Sequence, residues 1–138
     1  MMNVSEIMSR EVKIVSPDDT LTQAAQIMKE IDAGVVPVGE NDRLVGMLTD
    51  RDITIRAVAE GKSPDQCLVR DVMSPAILYV FDDTSVDEAA RNMGELQVRR
   101  LPVVNHDKRL VGILSLGDIA INRTKSANSA LNQVSQHH

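Results

Sequence analysis

Aromatic residues are nearly missing from this sequence. Of 138 residues only Tyr79 and Phe81 are aromatic, and there is no tryptophan. Apolar residues still make up 43% of the chain, so the core of a single domain of common size must be aliphatic. The one cysteine, Cys67, excludes an internal disulfide, and no Cys/His cluster suggests a metal site.

Basic charge and long hydrophobic runs are also lacking. The formal net charge is −5, which argues against a nucleic-acid partner because phosphate backbones demand a basic surface. The apolar runs are a few residues long, far short of the roughly 20 that span a bilayer. Residues 1–10 carry no pattern of a secretory signal. We therefore expect a cytoplasmic protein that binds neither nucleic acid nor membrane.

An internal repeat is the strongest feature that is present. Residues 4–9 (VSEIMS) align with residues 69–74 (VRDVMS), and residues 21–28 align in the same register with residues 86–93. After one inserted residue in a polar turn, residues 44–49 (LVGMLT) align with residues 110–115 (LVGILS). The chain therefore contains two copies of one structural unit.

Each copy carries the same local signals. Thr20-x-x-Gln23 and Ser85-x-x-Glu88 predict capping boxes, in which the two side chains satisfy early backbone N–H groups of a helix. Apolar residues then recur at helical spacing. The two predicted buried faces are Leu21, Ala24, Ala25, Met28 and Ile31, and Val86, Ala89, Ala90, Met93 and Leu96.

Short apolar runs at 35–38, 44–48, 101–104 and 110–114 predict strands, and second helices begin near Thr49 and Ser115. Each unit thus reads strand, helix, strand, strand, helix. We predict an α/β (α+β) fold of two βαββα repeats in a pseudo-twofold arrangement, with the sheets packed together and the helices outside. The predicted boundaries are 1–62 for repeat one, 63–68 for a linker, 69–124 for repeat two and 125–138 for a polar tail.

The repeated motifs resemble a tandem pair of cystathionine-β-synthase (CBS) domains, a Bateman module. They are Ile7-Met8-Ser9 and Val72-Met73-Ser74; Gly34-Val35-Val36-Pro37-Val38 and Arg99-Arg100-Leu101-Pro102-Val103; and residues 46–52 (GMLTDRD) and 112–118 (GILSLGD). The resemblance covers about residues 3 to 123 and includes stand-alone bacterial pairs of the hypoxia and stress response.

This resemblance implies a regulatory module and not an enzyme. Such pairs bind adenosine-containing ligands (AMP, ADP, ATP, S-adenosylmethionine or NAD) in clefts between the repeats and form homodimers through their helices. An adenosyl nucleotide would be a regulatory ligand and not a required cofactor. Any output would act in trans on an unknown protein partner. The alternative is a ligand-free dimeric adaptor with vestigial clefts.

The resemblance also implies which residues bind the ligand. Thr49 with Asp52 would serve one cleft and Ser115 with Asp118 the other, since a helix N-terminus favours phosphate and a carboxylate can accept ribose hydroxyls. The Asp118 cleft would add Ser9, Val12 and Val35; the Asp52 cleft would add Ser74, Ile77 and Arg100. The phosphate candidates are Arg99 and Arg100, with Arg51, Arg56 and Lys13 behind them.

These residue types also have ordinary structural explanations. Thr49-x-x-Asp52 and Ser115-x-x-Asp118 have the spacing of helix caps, and Arg99-Arg100 is equally typical of a solvated or salt-bridged pair. Gly46 and Gly112 predict a close backbone approach. Because Gly117 replaces the cation of Arg51 in the second copy, the two clefts should differ.

Overall fold

The computed structural model describes residues 2–75 and 78–123, so Ile77 and the predicted tail at 125–138 lie outside the described residues. Its helices are α1 (Leu21–Ile31), α2 (Asp50–Ile53), α3 (Val69–Val72), α4 (Val86–Leu96) and α5 (116–123). Its strands are β1 (Val35–Glu40), β2 (Arg43–Thr49), β3 (Ser74–Pro75), β4 (Val80–Phe81), β5 (Arg100–Val104) and β6 (Leu110–Ser115). A 3₁₀ turn spans Val4–Glu6, and a π-helical turn, Thr54–Val58, continues α2.

The strands form two three-stranded sheets, with the orders β1-β2-β3 and β4-β5-β6. The predicted mixed α+β fold is therefore confirmed. β1 pairs antiparallel with β2, and β5 pairs antiparallel with β6. The first strand predicted for each repeat is reduced to short pieces: β3 and β4 in the second copy, and single bridges at Ser9 and Val15 in the first.

The caps and apolar spacing explain the two long helices. Thr20 and Gln23 form a complete capping box before α1, whereas Ser85 accepts a bond from the Glu88 N–H without the return bond. Two predicted core positions are wrong, because Ala25 and Leu96 are exposed. Ala25 lies at the flank of the buried stripe, and Leu96 is the last residue of α4.

The opening segments of the two repeats, residues 3–9 and 68–74, are exchanged. Asn3 bridges to Ser85, and Leu68 makes the equivalent bridge to Thr20. At their far ends, Ser9 pairs with Ile113 of β6, whereas Ser74 of β3 pairs with Met47 of β2. Each opening segment thus extends the sheet of the other repeat.

The exchange also completes the two hydrophobic cores. Val69 and Val72 are buried in the first cluster, which otherwise comes from the first repeat and Cys67. Val4 is buried in the second cluster, with Ile7 and Met8 packed against it. Each core therefore lies between one sheet, one long helix and the opening segment of the other repeat.

At Gly46 and Gly112 the exchanged segments lie so close to the backbone that a side chain would not fit. A Cβ on Gly46 would lie 2.8 Å from the Ser74 carbonyl oxygen, and one on Gly112 would lie 2.8 Å from that of Ser9 and collide with the sulfur of Met8. The close backbone approach is therefore made by the opening segments.

Among the described residues, no helix is both long and apolar enough to cross a membrane.

Candidate functional site

Two cavities lie where the repeats meet. The larger, of about 610 Å³, is mostly apolar, and the smaller is about 260 Å³. The larger is lined by Asp32, Ala33, Gly34, Val35, Met47, Thr49, Ser74, Pro75, Leu78, Val98, Arg99, Arg100, Leu101 and Pro102. The smaller is lined by Ser9, Glu11, Lys13, Ile31, Pro37, Arg100, Ile113, Ser115 and Asp118. We call them the Thr49 cavity and the Ser115 cavity.

The two cavities are related by the internal repeat. Six lining positions correspond: Ser9 with Ser74, Lys13 with Leu78, Pro37 with Pro102, Arg100 with Val35, Ile113 with Met47, and Ser115 with Thr49. In two of these pairs the Ser115 cavity has a cation, Lys13 or Arg100, where the Thr49 cavity has an aliphatic residue, Leu78 or Val35. The two repeat-related cavities therefore differ in the charge of their lining at these two positions.

Thr49 ends β2 and caps α2, which positions its hydroxyl at the edge of the larger cavity. The Asp52 N–H donates to Thr49 Oγ1 at 3.0 Å, and the Thr49 N–H donates to Asp52 Oδ2 at 3.0 Å. The second oxygen of Asp52 lies 3.9 Å from Arg56 Nε, and its side chain is only 13% exposed. The capping interpretation of this motif is therefore correct in geometry.

Ser115 repeats this arrangement at the start of α5. The Asp118 N–H donates to Ser115 Oγ at 3.0 Å, and Asp118 Oδ2 accepts from the Ser115 N–H at 3.1 Å. Asn122 stands where the first repeat has Arg56, and it donates to the sulfur of Met2 instead. No cation is therefore paired with Asp118 in the described part of the chain.

The loops before β1 and β5 are tied to the same helix starts. The Asp50 N–H donates to the Gly34 carbonyl at 2.8 Å, and the Leu116 N–H donates to the Arg99 carbonyl at 2.9 Å. Cross-strand pairing sets Val35 opposite Thr49 and Arg100 opposite Ser115. This register brings Arg100 beside the Ser115 cavity.

The structure brings together most of the residues singled out from sequence. The Ser115 cavity gathers Ser9, Arg100, Ser115 and Asp118. The Thr49 cavity gathers Val35, Thr49, Ser74, Arg99 and Arg100.

Other predicted residues lie elsewhere. Val35 lines the Thr49 cavity and not the Asp118 cleft to which it was assigned, because its partner across the hairpin is Thr49. Asp52 does not line the Thr49 cavity, and one of its carboxylate oxygens lies 3.9 Å from Arg56 Nε. Val12 and Arg51 line neither cavity.

Sequence reasoning missed part of both linings. Glu11 and Ile31 contribute to the Ser115 cavity, and Lys13 was only a secondary candidate. The loop residues 32–34 and Val98 line the Thr49 cavity. The repeat contained a signal for these loops, since Ala33 and Val98 are aligned positions just before a predicted strand.

A separate polar cluster lies on the surface around His106. Its Nε2 is 2.7 Å from Asp83 Oδ2, and its ring stacks on Phe81 with centroids 4.8 Å apart. This contact with Asp83 raises the pKa of His106 above its usual range. The carboxylate oxygens of Asp82 and Asp83 and a ring nitrogen of His106 lie within 4.8 Å of one another. Among the described residues, this is the one cluster of three side chains of the types that bind metal ions. An exposed ion pair accounts for the geometry.

The fold and the paired cavities define a class of protein. The CBS domain family matches residues 4–58 and 69–123, and the chain belongs to this family as a tandem pair.

Relatives agree with this assignment over nearly the whole chain. The CBS domain-containing protein YhcV of Bacillus subtilis is 42% identical over 137 residues, which cover 98% of this chain and 96% of the relative. The crystal structure of Hypoxic Response Protein I with two coordinated zinc ions is 43% identical with a TM-score of 0.76, covering 86% of this chain and 97% of that one; hypoxic response protein 1 is from Mycobacterium tuberculosis. The crystal structure of CBSX2 of Arabidopsis thaliana in complex with AMP has 26% sequence identity and a TM-score of 0.78, and the match covers 92% of this chain and 99% of CBSX2.

Proposed function

We propose that this protein is a regulatory module that binds an adenosine-containing nucleotide between its repeats and signals to a protein partner in trans. The observation that carries the proposal is the pair of repeat-related cavities. Each is bordered by the hydroxyl of a strand-ending residue, Thr49 or Ser115, and by a serine of the exchanged opening segment, Ser74 or Ser9. The AMP complex of the structurally similar CBSX2 supports the ligand class.

The Thr49 cavity is the better site for the nucleoside. Its volume of about 610 Å³ falls in the range of about 300–1,000 Å³ that is usual for small-molecule sites. Val35, Met47 and Leu78 supply an apolar surface for a base, and Arg99 and Arg100 supply cations for a phosphate.

The Ser115 cavity is suited to the charged part of a ligand. At about 260 Å³ it is slightly below that range, so a nucleotide bound there would place its ribose phosphate inside the cavity and its base at the cavity mouth. Lys13 and Arg100 provide positive charge at its wall. The second oxygen of Asp118 is not used by the helix cap and can accept a ribose hydroxyl.

A thermal-shift and calorimetry series with AMP, ADP, ATP, S-adenosylmethionine and NAD tests the proposal. A ligand at one hundred times its Kd stabilises the folded state by about 2.7 kcal/mol. We expect Arg99→Ala and Asp118→Asn to reduce the shift for their own cavities, since the asparagine amide oxygen can keep the capping bond while the charge is removed. Asp107→Asn, an exposed change in the turn before β6, is the matched control. If none of the five ligands shifts the melting temperature, the proposal is wrong.

A dimeric adaptor is the second candidate, and exposed apolar residues favour it. Ile55 and Ile121 occupy equivalent positions in the two repeats and are 46% and 58% exposed. Val58 and Leu116, on the same two helical segments, are also exposed. We propose a homodimer through these segments, and light scattering of wild type against Ile55→Asp and Ile121→Asp measures it. A ligand-silent stable dimer favours the adaptor, whereas a monomer that binds nucleotide contradicts it.

A further inference from the structure

Arg100 is the residue that the two cavities have in common. It opens β5 opposite Ser115 and lines both the Ser115 cavity and the Thr49 cavity. The repeat-equivalent position is Val35, which lines the Thr49 cavity alone. The two repeats therefore differ at this position, because the second has a cation and the first has a valine.

The neighbouring charges leave this guanidinium available. In the described ranges, 2–75 and 78–123, no carboxylate lies within salt-bridge distance of Arg100. By contrast, Lys13, the other cation of the Ser115 cavity, lies 3.5 Å from Glu30. Arg99 lines the Thr49 cavity only. An anion in either cavity thus has Arg100 as a nearby cation that is not already held in a salt bridge, although Glu11 and Asp118 also line the Ser115 cavity.

We propose that Arg100 is a specificity-determining residue shared by the two cavities. In both cavities it favours ligands that carry an anionic group. It also couples the two cavities, so that an anionic ligand bound in one lowers the affinity of the other for a second anionic ligand. Because one guanidinium offers a limited set of donors and one positive charge, an anion that engages it in one cavity leaves less for an anion in the other. Linkage makes the effect reciprocal. This inference rests on nucleotide binding as proposed above.

The test of sharing uses a methyl probe in each cavity. Met47 reports on the Thr49 cavity and Ile113 on the Ser115 cavity, and both are followed by NMR while the full chain is titrated with AMP. We expect Arg100→Ala to weaken AMP at both probes by about tenfold or more, the loss of a charge-assisted hydrogen bond. The matched control Arg99→Ala should weaken it at Met47 only. Adenosine, which has no phosphate, should bind both variants as it binds the wild type.

The test of coupling fills one cavity permanently. Val35→Trp occludes the Thr49 cavity and Ile113→Trp the Ser115 cavity. For the cavity that fills second in the wild type, we expect AMP to bind about fivefold or more tightly once the other is occluded. The gain should disappear in the Arg100→Ala background. Should either tryptophan variant fail to fold, the Arg100→Ala and Arg99→Ala comparison still decides the sharing.

The possible failures are distinguishable. If neither AMP nor any of the other four ligands moves a probe in the wild type, nucleotide binding itself is wrong. If AMP moves both probes, but Arg100→Ala weakens only one of them or occlusion brings no gain, nucleotide binding stands and the shared cation is refuted.

Discussion

Replacing Gly112 with alanine should be among the most damaging single-methyl changes in this protein. The new Cβ would lie 2.8 Å from the Ser9 carbonyl oxygen. Met8 has a flexible side chain that can move, but Ser9 is fixed by two backbone bonds to Ile113, each 2.9 Å long. Overpacking costs about 1–3 kcal/mol, and weakening the two bonds adds about 1 kcal/mol. We therefore expect a loss of about 2–4 kcal/mol.

Urea denaturation followed by circular dichroism measures this loss. With a denaturant slope of about 2 kcal/mol/M, the midpoint should fall by about 1–2 M. Gly94→Ala is the matched control, since no atom lies within 4 Å of its Cβ position and the residue is inside α4; it should raise stability by up to about 1 kcal/mol. A Gly112→Ala protein within about 0.5 kcal/mol of wild type would refute the reasoning.

Three further predictions use the caps, the exchanged segment and the surface ion pair. Thr20→Ala should cost about 1 kcal/mol and more than Ser85→Ala, because the Thr20 hydroxyl accepts from the Gln23 N–H and also donates to Gln23 Oε1 at 3.3 Å, whereas the Ser85 hydroxyl makes only the bond from the Glu88 N–H; equal losses in urea melts would contradict this. Val4→Ala, at a fully buried position of the second core, should cost about 2 kcal/mol; an unchanged melting temperature would show that the opening segment adds no stability. Because Asp83 raises the pKa of His106 above 6.5, this pair stabilises the fold below about pH 6.5 and its contribution is lost as the pH rises through the raised pKa. NMR titration should find that Asp83→Asn lowers the pKa of His106, and an unchanged value would refute the pairing.

Local signals accounted for much of the fold. The hydroxyl-x-x-carboxamide pattern at Thr20 located the start of α1, and the apolar runs located β1, β2, β5 and β6 to within about two residues. These features depend on neighbours close in sequence, so the sequence contains them directly. The exchange of opening segments joins residues such as Asn3 and Ser85, and no local pattern encodes such distant pairing.

The candidate site was predictable in kind and less so in detail. The repeat placed a hydroxyl and an aspartate at each second helix, and both pairs form the expected caps. Asp52 is held by its capping bonds to Thr49 and lies near Arg56, one helical turn further along, so it does not line the Thr49 cavity. Arg100 was assigned to one cleft, and only the packing of the repeats reveals that it faces two cavities.

The exchanged segments also determine how this protein should come apart. Removing residues 3–9 would strip an edge and three apolar side chains from the second half, although these residues belong to the first half of the chain. Neither half therefore contains a complete core of its own. Denaturation should proceed as one cooperative transition, and a fragment that ends after the first repeat should not persist as a folded species.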